Sequence, residues 1–203
     1  MQIVLASQSP SRRMILRSAG VEPLIHPAHV DEDAIIASLA GASPQEIVSQ
    51  LALAKARAVA PNFPDQVTIG GDSMLLIDET LQGKPHTVEE TIRRWQQQRG
   101  KTAQLITGHC VIWQDQEIIE ASSTTIHFAE ASDADINAYA ASGEPLECAG
   151  AFTLEALGGW FIDSIEGDPS SVIGLSLPVV RRALYQCGFN ISDFWGATPT
   201  SVS

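Results

Sequence analysis

The chain has 203 residues, 44% of them hydrophobic and 18% charged, proportions that suit a globular domain and exclude a fibrous, low-complexity or disordered chain. Twelve basic residues stand against 24 acidic ones, a net charge of -12. Non-specific nucleic-acid binding, which depends on cations meeting phosphates, is disfavoured.

No apolar run approaches the roughly 20 residues that cross a bilayer, and the first residues lack the basic-then-apolar pattern of a secretory signal. Cys110, Cys148 and Cys187 are scattered, form no CxxC pair and suit a reducing compartment. The sequence therefore reads as a cytoplasmic protein with neither a membrane nor a nucleic-acid partner. It forms one domain over residues 1–203, with a frayed tail after about residue 195.

Residues 2–6 alternate as a short strand, and Ser7-Gln8-Ser9-Pro10-Ser11 then makes a tight loop before a helix that carries Met14, Ile15 and Leu16 and stops at Gly20. Residues 22–30 read as a second extended segment. Asp31-Glu32-Asp33 opens a helix, its negative charge at the positive end of the dipole. Ser43-Pro44-Gln45-Glu46 is a capping box for a helix running to about Ala60. Residues 67–78 read as an apolar strand interrupted by Gly70-Gly71-Asp72-Ser73, with Gly83-Lys84-Pro85 in a following loop. Thr87 and Glu90 suggest a second capping box, for a helix ending at Gly100. Residues 102–113 and 117–128 form a long hairpin around Gln114-Asp115-Gln116. A helix over 132–142, a glycine-rich, strand-like stretch over 147–174 and a helix over 177–186 complete the chain. Alternating strands and helices give an α/β class, and the hairpin requires a mixed sheet.

Two places draw attention chemically. Ser7, Ser9 and Arg12 sit between a strand end and a helix N-terminus, where free N–H groups, hydroxyls and a guanidinium fork suit phosphate; the same residues also serve ordinary helix capping. Asp72 follows two glycines at the apparent end of a buried strand, so it either bonds turn amides or holds a metal or polarises a water. Glu32, Lys55 and Lys84 have the chemistry to complete a triphosphate and divalent-ion site, although spacing alone does not bring them together. Arg94 and Arg181 read as residues of solvated helix faces. The five histidines show no metal-ligand spacing, Cys148 has no base nearby in sequence, and P-loop, GxGxxG and GxSxG motifs are missing.

Seven segments together resemble the Maf family of nucleoside triphosphate pyrophosphatases. They are LASQSPSRRMIL at 5–16, VDEDA at 30–34, LALAKARAV at 51–59, IGGDSMLLID at 69–78, GKP at 83–85, SGEPLECAGAFTLEALGGWFI at 142–162 and IEGDPSSVIGLSLPVV at 165–180. The resemblance implies a mixed, twisted sheet flanked by helices, two lobes around a central cleft, and a homodimer. It implies hydrolysis of a nucleoside triphosphate between the α and β phosphates, with Mg2+ or Mn2+. Asp72 takes the position of the base that activates water, Ser7, Ser9, Arg12, Lys55 and Lys84 those that meet the phosphates, and Glu32 with Asp72 those that hold the metal. The family is also linked to inhibition of septum formation, which leaves a nucleotide-binding regulator as the alternative.

Three departures from related sequences bear on which base is accepted. Ser11 stands where arginine or tryptophan is common, Gly71 where alanine or serine is common, and Leu175-Ser176-Leu177-Pro178 lengthens a usual GLPL. Ser11, Ser73 and Glu155 are therefore the candidate specificity residues. A carboxylate at 155 only accepts hydrogen bonds, which favours modified or unmodified purines and cytosine over uracil and thymine. Related sequences resembling the 7-methyl-GTP branch carry glutamate there, and those resembling the uridine and thymidine branch carry glutamine.

Overall fold

The computed structural model describes residues 1–196; the tail beyond 196, expected to be frayed, lies outside the described residues. The strands are β1 (Ile3–Leu5), β2 (Leu24–Ile25), β3 (Val67–Ile77), β4 (Thr80–Gln82), β5 (Thr102–Trp113), β6 (Gln116–Phe128) and β7 (Ile162–Glu166). They form one mixed sheet in the order β2-β1-β3-β5-β6-β7, with β4 also on β3. β1 runs parallel to β2 and β3, and the other pairings are antiparallel. The hairpin turns through two residues, Gln114 and Asp115, since Trp113 pairs with Gln116.

The helices are α1 (Pro10–Ser18), α2 (Glu32–Ser38), α3 (Pro44–Val59), α4 (Val88–Gln98), α5 (Asp133–Ala141), α6 (Pro169–Ile173) and α7 (Leu177–Gln186). Ser9, Asp31, Ser43, Thr87, Ser132, Asp168 and Ser176 cap their N-termini with side-chain acceptors, and proline opens α1, α3 and α6. Ser43 and Thr87 accept from the amides of Glu46 and Glu90, but neither glutamate makes the expected return bond of a capping box; the Glu90 carboxylate is taken by Arg93 and Arg94.

Period-two alternation sorts the sheet's two faces. Ile3, Leu5, Ile69 and Val111 pack with Ile15 and Leu16 of α1 and with Val180 and Leu184 of α7. Further along the sheet, Leu75, Ile77, Leu105 and Ile126 pack around Trp95 of α4 and Tyr139 of α5. The other face takes α3, whose Ala52, Leu53 and Ala56 meet Cys110 and Ile112. Two large clusters thus follow one another along one side of the sheet, and the cleft opens between them.

Three sequence expectations change. The region 67–77 is one continuous strand, with Asp72 in its middle and paired with Gly108. The glycines there mark close backbone approach, as glycines within a strand often do. A Cβ at Gly70 would lie 2.2 Å from the Ala52 carbonyl oxygen, and one at Gly108 would lie 2.3 Å from that of Val48, so both let α3 lie directly on the sheet. The expected extended segment over 22–30 shrinks to Leu24–Ile25. The stretch 147–174 is mostly short 3-10 turns with a single strand, β7, because its glycines shape turns that wrap the second cluster.

Gly108→Ala should therefore push α3 off the sheet and lower stability by about 1–3 kcal/mol, the usual range for overpacking. Gly83→Ala, which meets no atom within 4 Å, should leave it within about 0.5 kcal/mol. Urea denaturation of both variants checks the contrast, and equal stabilities would show that the glycine is not required for packing.

Candidate active site

The edge of β3 that faces away from β5 is only partly paired. β1 covers it at residues 67–69 and β4 at 75–77, so residues 70–74 form an unpaired window. A cleft of about 790 Å3 opens there. Ser7, Ser9, Ser11, Arg12, Glu32, Lys55, Asp72, Ser73, Lys84 and Glu155, which come from separate parts of the chain, all line it.

Asp72 and Ser73 are adjacent, so the pleat sends them to opposite faces of the strand. Asp72 turns toward α3, where Lys55 Nζ donates to its Oδ1 at 2.6 Å; Nζ also lies 2.9 Å from Oε1 of Glu32. Lys55 and Asp72 are both buried, and Glu32 is half exposed at the start of α2. Among the described residues Asp72 Oδ2 has no hydrogen-bond partner. One oxygen of the carboxylate is thus fixed while the other is open to the cleft.

Ser73 turns toward α1. Its Oγ accepts from Nη2 of Arg12 at 3.2 Å and lies 2.9 Å from the Thr107 hydroxyl. Arg12 is buried and held at two further points, Nε donating to the Gly174 carbonyl at 2.7 Å and Nη1 to Ser7 Oγ at 3.1 Å. A Cβ at Gly71 would sit 3.3 Å from Nε, so the glycine leaves room for the guanidinium. Burial lowers the Arg12 pKa, and the charges of Asp72 and Glu32 oppose that shift. Ser73, a candidate specificity residue, thus lies on the cleft wall and helps to hold Arg12.

Lys84 lies across the cleft on the loop after β4, more exposed than Lys55, with Nζ 3.2 Å from Glu147 Oε2. Glu147 also meets His86 Nδ1 at 3.1 Å. Hydrogen bonds from His86 and then Lys84 hold the Glu147 carboxyl below its ordinary value. Glu155 is exposed at the mouth and accepts from the Leu154 amide. Its loop is organised by Glu144, which accepts from Tyr139, Thr153, Leu157 and Gly158. Burial works against ionisation of Glu144, but those four bonds outweigh it and keep its pKa low.

His86, Glu147 and Cys148 also line the cleft; the His86–Glu147 contact joins residues 61 apart, so no local pattern announces it. Burial pushes the Cys148 thiol up to about 11, which bears out its reading as a non-nucleophile. Arg94 departs from its expected solvated face: its side chain is 12% exposed and reaches the Gly83 carbonyl.

Three cations, Arg12, Lys55 and Lys84, share the cleft with five carboxylates, Glu32, Asp33, Asp72, Glu147 and Glu155. A polyphosphate would meet net negative charge here unless further cations came with it. No group of three or more His, Cys, Asp or Glu among the described residues forms a metal cage. Glu32 and Asp72 instead supply two hard oxygen donors beside an open cavity. That donor set fits a cation such as Mg2+ or Mn2+, which takes one or two carboxylates and leaves its other positions to water and phosphate.

Comparison with known proteins agrees with this geometry. The family described as Maf-like protein matches residues 2–187. The chain belongs to that family. Among its relatives, a "Nucleoside triphosphate pyrophosphatase" of Corynebacterium glutamicum is 78% identical over 195 residues, covering 96% of this chain and 99% of the relative. A protein of the same description from Corynebacterium efficiens is 77% identical over the same shares, and one from Nocardia farcinica is 51% identical over 95% of this chain and 96% of its own. The mixed seven-stranded sheet flanked by helices is the architecture the Maf resemblance implied.

Behind the cleft of this Maf-like chain, buried His109 on β5 accepts from the Ser176 amide through Nε2 at 2.8 Å and donates from Nδ1 to the Glu120 carbonyl. It thereby pins the turn that brings Gly174 to Arg12. Burial first, with Arg12 adding to it, lowers the His109 pKa from 6.5 to about 4, against opposing pulls from Glu120 and Asp168. Below pH 6.5 the unfolded chain binds a proton that the folded one refuses until about pH 4, so stability falls as pH falls through that window, by up to about 3 kcal/mol. His109→Gln should lose this component. Urea titrations of both proteins between pH 7 and 4.5 should give a steeper decline for the wild type; parallel curves would remove His109 from the pH response.

Proposed function

We propose that the cleft binds a nucleoside triphosphate with a divalent cation and hydrolyses it between the α and β phosphates, giving a nucleoside monophosphate and pyrophosphate. One observation carries the reading: a buried aspartate with a free oxygen stands between an ammonium and a triply anchored guanidinium in a single open cleft. The pyrophosphatase names of full-length relatives support the same reaction. The reading extends to a homodimer in the cytoplasm, as the family resemblance implies; sedimentation of the purified chain tests the dimer.

Asp72 acts as the general base. Lys55 holds Oδ1, and Oδ2 receives the proton of the attacking water. Arg12, fixed by Gly174, Ser7 and Ser73, presents its remaining N–H groups to phosphate without reorganising during the reaction. Ser7, Ser9 and the α1 N-terminus add donors, and Lys84 exchanges Glu147 for phosphate when nucleotide enters. Glu32 and Asp72 would hold Mg2+ or Mn2+. Such an ion supplies charge neutralisation for the polyphosphate, which the acidic cleft lacks.

Glu155 and Ser11 lie where the base would be read. The Glu155 carboxylate favours bases that present several donors, guanine and cytosine over uracil and thymine.

Asp72→Asn keeps the shape but not the basicity, so kcat should fall by about 10²- to 10⁴-fold in a folded variant that still binds nucleotide. Pyrophosphate and orthophosphate, assayed separately with Mg2+ or Mn2+, read this directly. Orthophosphate as the first product would move the cut to the β–γ bond, and near wild-type turnover in Asp72→Asn would take the base away from Asp72.

With GTP, 7-methyl-GTP, CTP, UTP and dTTP, kcat/KM should rank the first three above the last two. Glu155→Gln should narrow that gap. An unchanged ranking in the variant would mean that Glu155 does not read the base.

A further inference from the structure

Lys84 stands on the five-residue loop 83–87 between β4 and α4, a connection without a regular element of its own. Behind it lies a second cavity of about 310 Å3, on the side away from the cleft; Leu81 and Gly83 line both spaces, and Glu90, Arg94 and Gln98 line only the rear one. The Gly83 end of the loop is therefore not backed by packed core. It is held there by hydrogen bonds to one atom. The Gly83 carbonyl oxygen accepts from Arg94 Nη1 at 2.6 Å and from the Gly150 amide at 3.2 Å.

Arg94 is itself fixed. Its Nε donates to Glu90 Oε1 at 2.7 Å one helical turn earlier, and its side chain is 12% exposed. Hydrogen bonds from Arg93 and Arg94 lower the Glu90 pKa to about 2, so this carboxylate stays charged over the working range. The chain of contacts runs from helix α4 through Glu90 and Arg94 to Gly83, the residue before Lys84. A charge-assisted bond from a largely buried guanidinium is stronger than a neutral one. It is also directional, which a loop needs if one long side chain is to reach across a cleft.

We infer that Arg94 is a positioning residue for the reaction: anchored by Glu90, it holds the Gly83 carbonyl so that Lys84 projects into the cleft toward the substrate's phosphates. The inference rests on the proposed function for the part played by Lys84. It goes beyond that reading in giving a catalytic consequence to a side chain on the far side of the loop, where it touches no substrate.

The test combines two measurements on Arg94→Ala, Arg94→Lys, Lys84→Ala and the double variant Arg94→Ala/Lys84→Ala, with Arg181→Ala as an exposed control. In hydrogen–deuterium exchange without nucleotide, the amides of residues 83–87 should exchange at least tenfold faster in Arg94→Ala and at the wild-type rate in Lys84→Ala and Arg181→Ala. This needs no activity, so it decides the loop contact even if the chain turns over no triphosphate. Unchanged exchange in folded Arg94→Ala overturns the inference.

With GTP and Mg2+, Arg94→Ala should lose about tenfold in kcat/KM, and Arg94→Lys should recover part of that because an ammonium can still donate to Gly83. On the Lys84→Ala background the Arg94→Ala loss should vanish, since the two act as one unit. Losses that multiply would show that Arg94 acts independently of Lys84 and would overturn the inference. A Lys84→Ala enzyme with wild-type kcat/KM would bring down the phosphate role of Lys84, and with it the catalytic part of the inference. Should Arg94→Ala fail to fold, Arg94→Lys is read in its place, with amides of 83–87 expected to exchange faster than in the wild type and kcat/KM expected between those of the wild type and Lys84→Ala; wild-type values in both overturn the inference.

Discussion

The site depends on a strand that is deliberately left unpaired for five residues. The two ends of β3 have neighbours on both edges, but between the end of β1 and the start of β4 one edge faces open space. An unpaired edge inside a sheet exposes backbone polar groups and invites water. Here the exposed edge opens into the cleft, with Asp72 and Ser73 among its lining residues. The opposite edge is paired without a break to β5 from residue 68 to 76, so the strand stays rigid while one side is accessible.

That rigidity explains how so few cations suffice in a chain of net charge -12. Lys55 and Arg12 are buried and held by two and three protein partners, and orienting them in advance removes the entropy of ordering long side chains. Lys84 is the opposite case, with an exposed head whose only partner is a surface carboxylate. Exposed pairs of this kind contribute little to stability, which makes the Lys84–Glu147 contact easy to break in favour of a ligand. The acidic surplus in the cleft disfavours a bare polyphosphate.

Much of this was legible in the sequence. Capping residues and proline placed α1, α3, α4, α5 and α7 to within one or two residues, and the hairpin strands appeared with their turn. All ten residues named as site candidates line one cleft. The errors have a common cause, since residue types were given local meanings where the fold uses them at long range. Gly70 and Gly71 read as a break in the strand, yet the strand runs through them and they make room for α3 and for the Arg12 side chain. Glu90 read as half of a capping box, although Arg93 and Arg94 compete for it more effectively. Arg94 read as a solvated helix residue because nothing near it in sequence announces the Gly83 carbonyl. Glu147 and His86 were equally silent, since a pair that forms only when α5 folds back over the loop leaves no periodic mark.

The alternation of Asp72 and Ser73 across β3 has a consequence for how this chain can vary. Each half of the site is reached from its own face, the ammonium of Lys55 from α3 and the guanidinium of Arg12 from α1. A deletion or insertion of a single residue within 67–72 would move every later side chain of the strand to the other face. The carboxylate would then meet the guanidinium, and the hydroxyl the ammonium, with composition almost unchanged. Substitutions along β3 can be absorbed one at a time, but its length cannot drift. Changes of length in this protein are therefore confined to the loops around the cleft, where they alter what is bound without disturbing how it is cut.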